Sequence, residues 1–85
     1  MNPHQARELI TDALSQVAPD ADLGTLSPDA DFREALELDS LDFLSFVETL
    51  SDSSGCRIDE DDYPRFSTVA AGADFLSART AGLPS

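Results

Sequence analysis

Leu38-Asp39-Ser40-Leu41-Asp42-Phe43-Leu44-Ser45-Phe46-Val47-Glu48-Thr49-Leu50 contains neither glycine nor proline and carries the rhythm of an amphipathic helix. Phe43, Phe46, Val47 and Leu50 stand at i, i+3, i+4 and i+7, which is one helix face. At about 100° per residue, Leu41 projects nearly opposite that face and Leu44 lies at its edge. A helix packed on a core gains nothing structural from a leucine on its far side. Ser40 opens this helix, so a hydroxyl with apolar neighbours is expected at a surface.

Ser40 has two readings. It can be the helix N-cap, its oxygen accepting from a free backbone N–H of the first turn. Asp39 suits that role as well, and its charge complements the positive end of the helix dipole. If Asp39 caps, Ser40 is released to solvent. A self-activated nucleophile is not expected, because the only histidine is His4, and a Ser-His-Asp hydrolase also needs an oxyanion hole on a larger scaffold. A serine that accepts a group from another enzyme fits better.

Working outward, the flanking chain reads as helices joined by one long connection. Asn2 caps and Pro3 starts a first helix, whose apolar stripe is Ala6, Leu9, Ile10, Ala13, Leu14 and Val17; Pro19 ends it. Residues 20–38, with Gly24 and Pro28, read as a long structured connection pinned by Leu26, Phe32 and Leu36. The helix from Ser40 is expected to run to about Asp52 and to stop at Ser53-Ser54-Gly55, with Gly55 a left-handed cap. A short third helix is expected near 60–65, with Pro64 in its first turn or at its end. Ser67 or Thr68 then caps a last helix bearing Val69, Ala73 and Leu76, in which Gly72 permits close packing. Residues 80–85 read as a frayed tail. The expected fold is all-α: a four-helix up-down bundle with a long first loop, one domain over 1–85 with its ordered core at about 3–79.

The charge balance narrows the function classes. Seventeen Asp and Glu against five arginines, with no lysine, give a net charge of −12. Nucleic acid and anionic membranes would be repelled, and basic protein partners are favoured. No apolar run approaches the ~20 residues of a membrane span, and no signal-peptide run is seen at the N-terminus. Cys56 is the single cysteine, so no internal disulfide forms and a reducing cytoplasm is the expected compartment. It reads as a small core-edge residue. Acids crowd between Asp29 and Asp62, where Arg33 and Arg57 are the only basic side chains. An EF-hand loop needs Gly sixth and Glu twelfth. From Asp20, Gly24 falls fifth and Asp31 twelfth; from Asp59, Pro64 falls sixth. Neither register fits, and no metal site is expected.

These residues together resemble the acyl carrier protein family, in which a serine in an Asp-Ser-Leu motif at the start of the second helix bears 4′-phosphopantetheine. The resemblance spans nearly the whole chain. Asp29, Phe32 and Leu36 precede the motif, Ile58 and Asp59-Glu60-Asp61-Asp62 follow it, and Phe66-Ser67-Thr68-Val69 opens the last helix. It implies that Ser40 is the attachment site and that a phosphopantetheinyl transferase loads it from coenzyme A. The chain would then be a monomeric carrier rather than an enzyme. Acyl groups would ride as thioesters between enzymes of fatty-acid, polyketide or specialised lipid biosynthesis that present basic docking patches. Asp39, Leu41, Asp42, Leu44 and Glu48 would be the partner-contact residues, with the acids on the outward side of the helix. Three departures stand out. Glu37 occupies a position where the family usually has Gly, Ser54 replaces a large apolar residue, and Tyr63, Pro64 and Phe66 make the third helix bulkier. Two rivals remain open. An aminoacyl or aryl carrier would usually read Gly-Gly-x-Ser here, and a small acidic protein-interaction module would use Ser40 only as a cap.

Overall fold

The apolar stripes foreseen from the sequence meet in one core. The structure, a computed structural model, describes residues 2–80, so the expected frayed tail lies outside the described residues from 81 onward. In chain order there follow α1 (Pro3–Val17), a 3₁₀ turn (Leu23–Thr25), a short α2 (Phe32–Ala35), α3 (Ser40–Ser54), a 3₁₀ helix (Glu60–Phe66) and α4 (Val69–Thr80). No strand occurs among the described residues; one isolated bridge joins Asp31 to Thr68. α1 packs against both α3 and α4, and α4 also packs on the 3₁₀ helix.

Each start has a local cause. The Asn2 side chain accepts from Gln5 N at 2.8 Å while the Gln5 side chain accepts from Asn2 N, a reciprocal capping box with Pro3 at the first helical position. From α1, Ala6, Ile10, Ala13 and Leu14 are buried, with Leu9 and Val17 half-buried at the edge. α3 supplies Phe43, Phe46, Val47 and Leu50 to the core, as its spacing predicts. Gly55 ends α3 with φ +68°, the left-handed cap expected of glycine, and Ser54 Oγ accepts from Cys56 N just beyond. Cys56 is buried. Of the two candidate caps for α4, Thr68 is used: its Oγ1 accepts from Ala71 N at 3.0 Å. A Cβ on Gly72 would lie 2.9 Å from Phe66 Cδ1 and 3.0 Å from Ile10 Cδ1, so the glycine is what lets α4 approach its neighbours.

One expectation needs correction. The third helix is not confined by its proline: Pro64 lies within the 3₁₀ segment Glu60–Phe66. In an α-helix the proline ring would meet the carbonyl four residues earlier, and the segment takes the tighter 3₁₀ path instead. The connection 20–38 is structured, as expected. Asp22 caps the first 3₁₀ turn through Gly24 N, and Asp31 Oδ1 accepts from Arg33 N and Glu34 N to start α2. Phe32 is fully buried, Phe32 N donates to Ser67 O, and Ala70 N donates to Pro28 O. These bonds moor the connection to the start of α4 and so fix what leads into Ser40.

Candidate functional site

The approach to Ser40 is built by the end of α2. Glu37 N donates to Glu34 O and Leu38 N donates to Arg33 O, the paired closure of a Schellman motif. That motif needs a left-handed residue after the cap, and Glu37 provides it with φ +55°. The departure at Glu37 therefore leaves the backbone path available, at a conformational cost of about 1–2 kcal/mol for a residue bearing a Cβ. Leu38 then turns into the core and hands the chain to Asp39. Glycine at 37 would remove the strain but add disorder to the unfolded chain, worth about 0.4–1 kcal/mol. Glu37→Gly is expected to stabilise the protein by about 0.5–1 kcal/mol, a rise of a few degrees in Tm. A melt no higher than wild type would contradict this account of the turn.

Asp39, not Ser40, is the cap of α3: its Oδ1 accepts from Asp42 N at 2.8 Å. Ser40 is exposed at the first helical position, and its hydroxyl makes no hydrogen bond within the described residues. His4 pairs with Glu8 at 3.2 Å in the first turns of α1 and takes no part in the surroundings of Ser40. The hydroxyl is thus exposed, with no histidine beside it and no side chain hydrogen-bonded to it among the described residues.

Leu41, Leu44, Ser45 and Glu48 are all exposed, and they stand at i, i+3, i+4 and i+7 on the face opposite the core. Leu41 is 74% exposed and Leu44 40%, the only large apolar side chains so open among the described residues. Asp42 departs from expectation. It is half-buried rather than outward, at the edge of an open hollow shared with Val17, Pro19, Leu36 and Leu38. The long connection passes on that side of α3, with Asp22, Leu26, Leu36 and Leu38 lining the same hollow. Asp39 is exposed, but one of its oxygens is held by the cap.

A second opening lies directly beside the serine. Ser40, Leu44 and Phe43 of α3, Arg33 of α2, and Glu60 and Tyr63 of the 3₁₀ helix line a cleft of about 290 Å³. Its floor is aromatic: Phe43 meets Tyr63 edge-on at 5.4 Å between centroids and leans on Phe46 at 5.9 Å. Phe46 continues inward to Phe32 and Phe66 at 5.2 and 6.1 Å, favourable edge-to-face pairs. Arg33 closes one side, its guanidinium carbon 4.4 Å from the Phe43 ring centre. Arg33 and Tyr63 line this cleft, a placement that sequence pattern does not give, because the cleft joins segments far apart in the chain. Among the described residues no three His, Cys, Asp or Glu side chains gather as a metal site, and no helix is long and apolar enough to cross a membrane.

A family model described as a phosphopantetheine attachment site matches residues 7–76. The chain is 30% identical over 73 residues to the acyl carrier protein of Rubrobacter xylanophilus, covering 82% of this chain and 90% of that protein. It is also 30% identical over 57 residues to the acyl carrier protein of Lactobacillus johnsonii, covering 67% and 71% respectively.

Proposed function

The chain belongs to the acyl carrier protein family, whose members are carriers rather than enzymes and whose cofactor is phosphopantetheine, and from that premise we propose that Ser40 bears the arm. The observation that carries this reading is the division of labour at the head of α3. Asp39 takes the capping bond, and Ser40 is left exposed with an uncommitted hydroxyl. The surroundings fit the group. An open cleft beside the serine offers aromatic floor and polar walls, and the helix N-terminus favours the negative charge of a phosphodiester.

Loading joins Ser40 Oγ to the phosphorus next to pantetheine as the pyrophosphate bond of coenzyme A breaks and the nucleotide leaves. The serine proton passes to a base on the transferase, since no side chain among the described residues is hydrogen-bonded to Ser40 Oγ and the nearest carboxylate in the chain, Asp39, is held by the cap. The arm's thiol supplies the thioester that holds an acyl group for fatty-acid, polyketide or specialised lipid biosynthesis. Tethering replaces diffusion with a high effective concentration at each docked enzyme. The exposed stripe of Leu41, Leu44 and Glu48 is the docking face, with apolar contacts from the leucines and charge from the acid. Phosphopantetheinyl transferase is the first partner expected there. The decisive experiment is intact-mass measurement after incubation with coenzyme A and a broad-specificity transferase, followed by fragmentation to locate the group. One added phosphopantetheinyl group on Ser40 supports the reading; an arm mapped to Ser45, Ser51, Ser53 or Ser54 defeats it.

A net charge of −12 steers a basic partner from a distance, over a Debye length of ~8 Å at physiological salt. Charge at the rim of an interface acts mainly on the association rate. Glu48→Lys is therefore expected to slow transferase loading several-fold at low ionic strength, and the difference from wild type should shrink as salt rises. Glu48 is exposed, so the melt should hardly move. Asp42→Lys is the less clean test, because Asp42 is half-buried and its charge complements the N-terminal dipole of α3. Equal loading rates for Glu48→Lys and wild type at low salt would show that docking does not depend on this acid.

A further inference from the structure

Of the three arginines that form no ion pair among the described residues, Arg7, Arg33 and Arg65, only Arg33 is set over an aromatic ring. Arg57 pairs with Asp59 at 3.1 Å and Arg79 with Asp62 at 3.4 Å. Arg33 has Asp31, Glu34 and Glu37 close by in sequence and pairs with none of them. Its guanidinium lies over the Phe43 ring instead. The ring contact holds the group from one side, and no hydrogen bond within the described residues occupies its N–H donors. The backbone around it is fixed on both sides, Arg33 N donating to Asp31 Oδ1 and Arg33 O accepting from Leu38 N. A pre-set guanidinium, without a carboxylate, thus shares a cleft with the exposed Ser40 hydroxyl.

We propose that Arg33 is a positioning residue for the arm, its guanidinium taking the phosphodiester borne by Ser40 and laying the arm along the cleft toward Leu44 and Tyr63. The proposal rests on Ser40 being the attachment site. Guanidinium edges match phosphate oxygens in a two-point, charge-assisted geometry, and Glu60 on the cleft wall repels the same phosphate and so favours the Arg33 side. The stack on Phe43 orders the side chain before loading, which reduces what binding must spend on immobilising it. The arm would therefore leave the protein in a preferred direction rather than swing freely from the serine.

The test uses loaded wild type, Arg33→Gln and Arg33→Lys, each confirmed by mass to carry one arm. The phosphorus-31 resonance of each folded protein is compared with the same protein unfolded in denaturant. Folding is expected to displace the wild-type resonance, with the displacement lost in Arg33→Gln and partly recovered in Arg33→Lys. In wild type the Arg33 Nε–Hε signal should also move between unloaded and loaded protein, a readout that needs no variant to fold. A purely structural arginine stacked on Phe43 would leave that signal and the phosphorus displacement unaffected by loading and by substitution, and this result overturns the proposal. Absence of any added mass on Ser40 overturns the attachment reading, and the role of Arg33 falls with it. The two failures are therefore distinguishable.

Discussion

Ser40→Ala is expected to accept no phosphopantetheinyl group under conditions that load the wild-type protein to completion. The loss should be complete, because the new bond is to the serine oxygen itself and, among the described residues, no other hydroxyl stands exposed at the first position of an α-helix. Ser45 is exposed on the same helix but lies more than a turn from the N-terminus, beyond the favourable reach of the dipole. Ser51 Oγ donates to Cys56 O and Ser54 Oγ accepts from Cys56 N, so both are engaged in the end of α3. Folding should survive the substitution. Ser40 is exposed and Asp39 keeps the cap, and alanine is a better helix former than serine by a few tenths of a kcal/mol. Intact mass and a thermal melt on the same sample check both halves. Full labelling of Ser40→Ala, or its failure to fold, would show that the serine has been assigned the wrong task.

That contrast between Ser40 and its neighbours was largely legible in the chain. The period of Phe43, Phe46, Val47 and Leu50 fixed the buried face of α3, and the position of Leu41 off that face implied the exposed one. Asn2, Pro3 and Gly55 marked helix ends through chemistry that acts within one turn, so sequence alone could place them. The choice between Asp39 and Ser40 as cap was not legible. Both residues can fill the role, and the decision depends on how the preceding turn delivers the backbone. That turn was itself opaque, since glutamate disfavours the left-handed region that Glu37 occupies, and only the closure of α2 requires it.

The walls of the cleft were hidden for a different reason. Arg33, Ser40 and Tyr63 come from three elements, and no local periodicity joins them. Asp42 illustrates the same limit. Its helical angle suggests exposure, yet it shares a hollow with the connection from α1, whose path depends on the burial of Phe32 and on its bonds to Ser67 and Ala70.

Phe46→Ala and Leu41→Ala should separate folding from recognition on one helix. Phe46 is fully buried, with its ring against Phe32, Phe43 and Phe66. Truncating such a ring costs about 3–5 kcal/mol, a large part of the roughly 5–15 kcal/mol that holds a domain together. In a domain of this size that corresponds to a Tm lowered by on the order of 20 °C. Leu41 is 74% exposed and has little burial to lose, so its truncation should change stability by no more than about 0.5 kcal/mol. Its effect should fall on coupling instead. A leucine buried on docking contributes about 1.5–3 kcal/mol, so transferase loading of Leu41→Ala should drop by roughly tenfold or more. Melts of both variants, with loading rates measured below the Phe46→Ala transition, decide the matter. Similar large losses of stability in the two would place Leu41 in the core, and a wild-type loading rate for Leu41→Ala would remove it from the docking face.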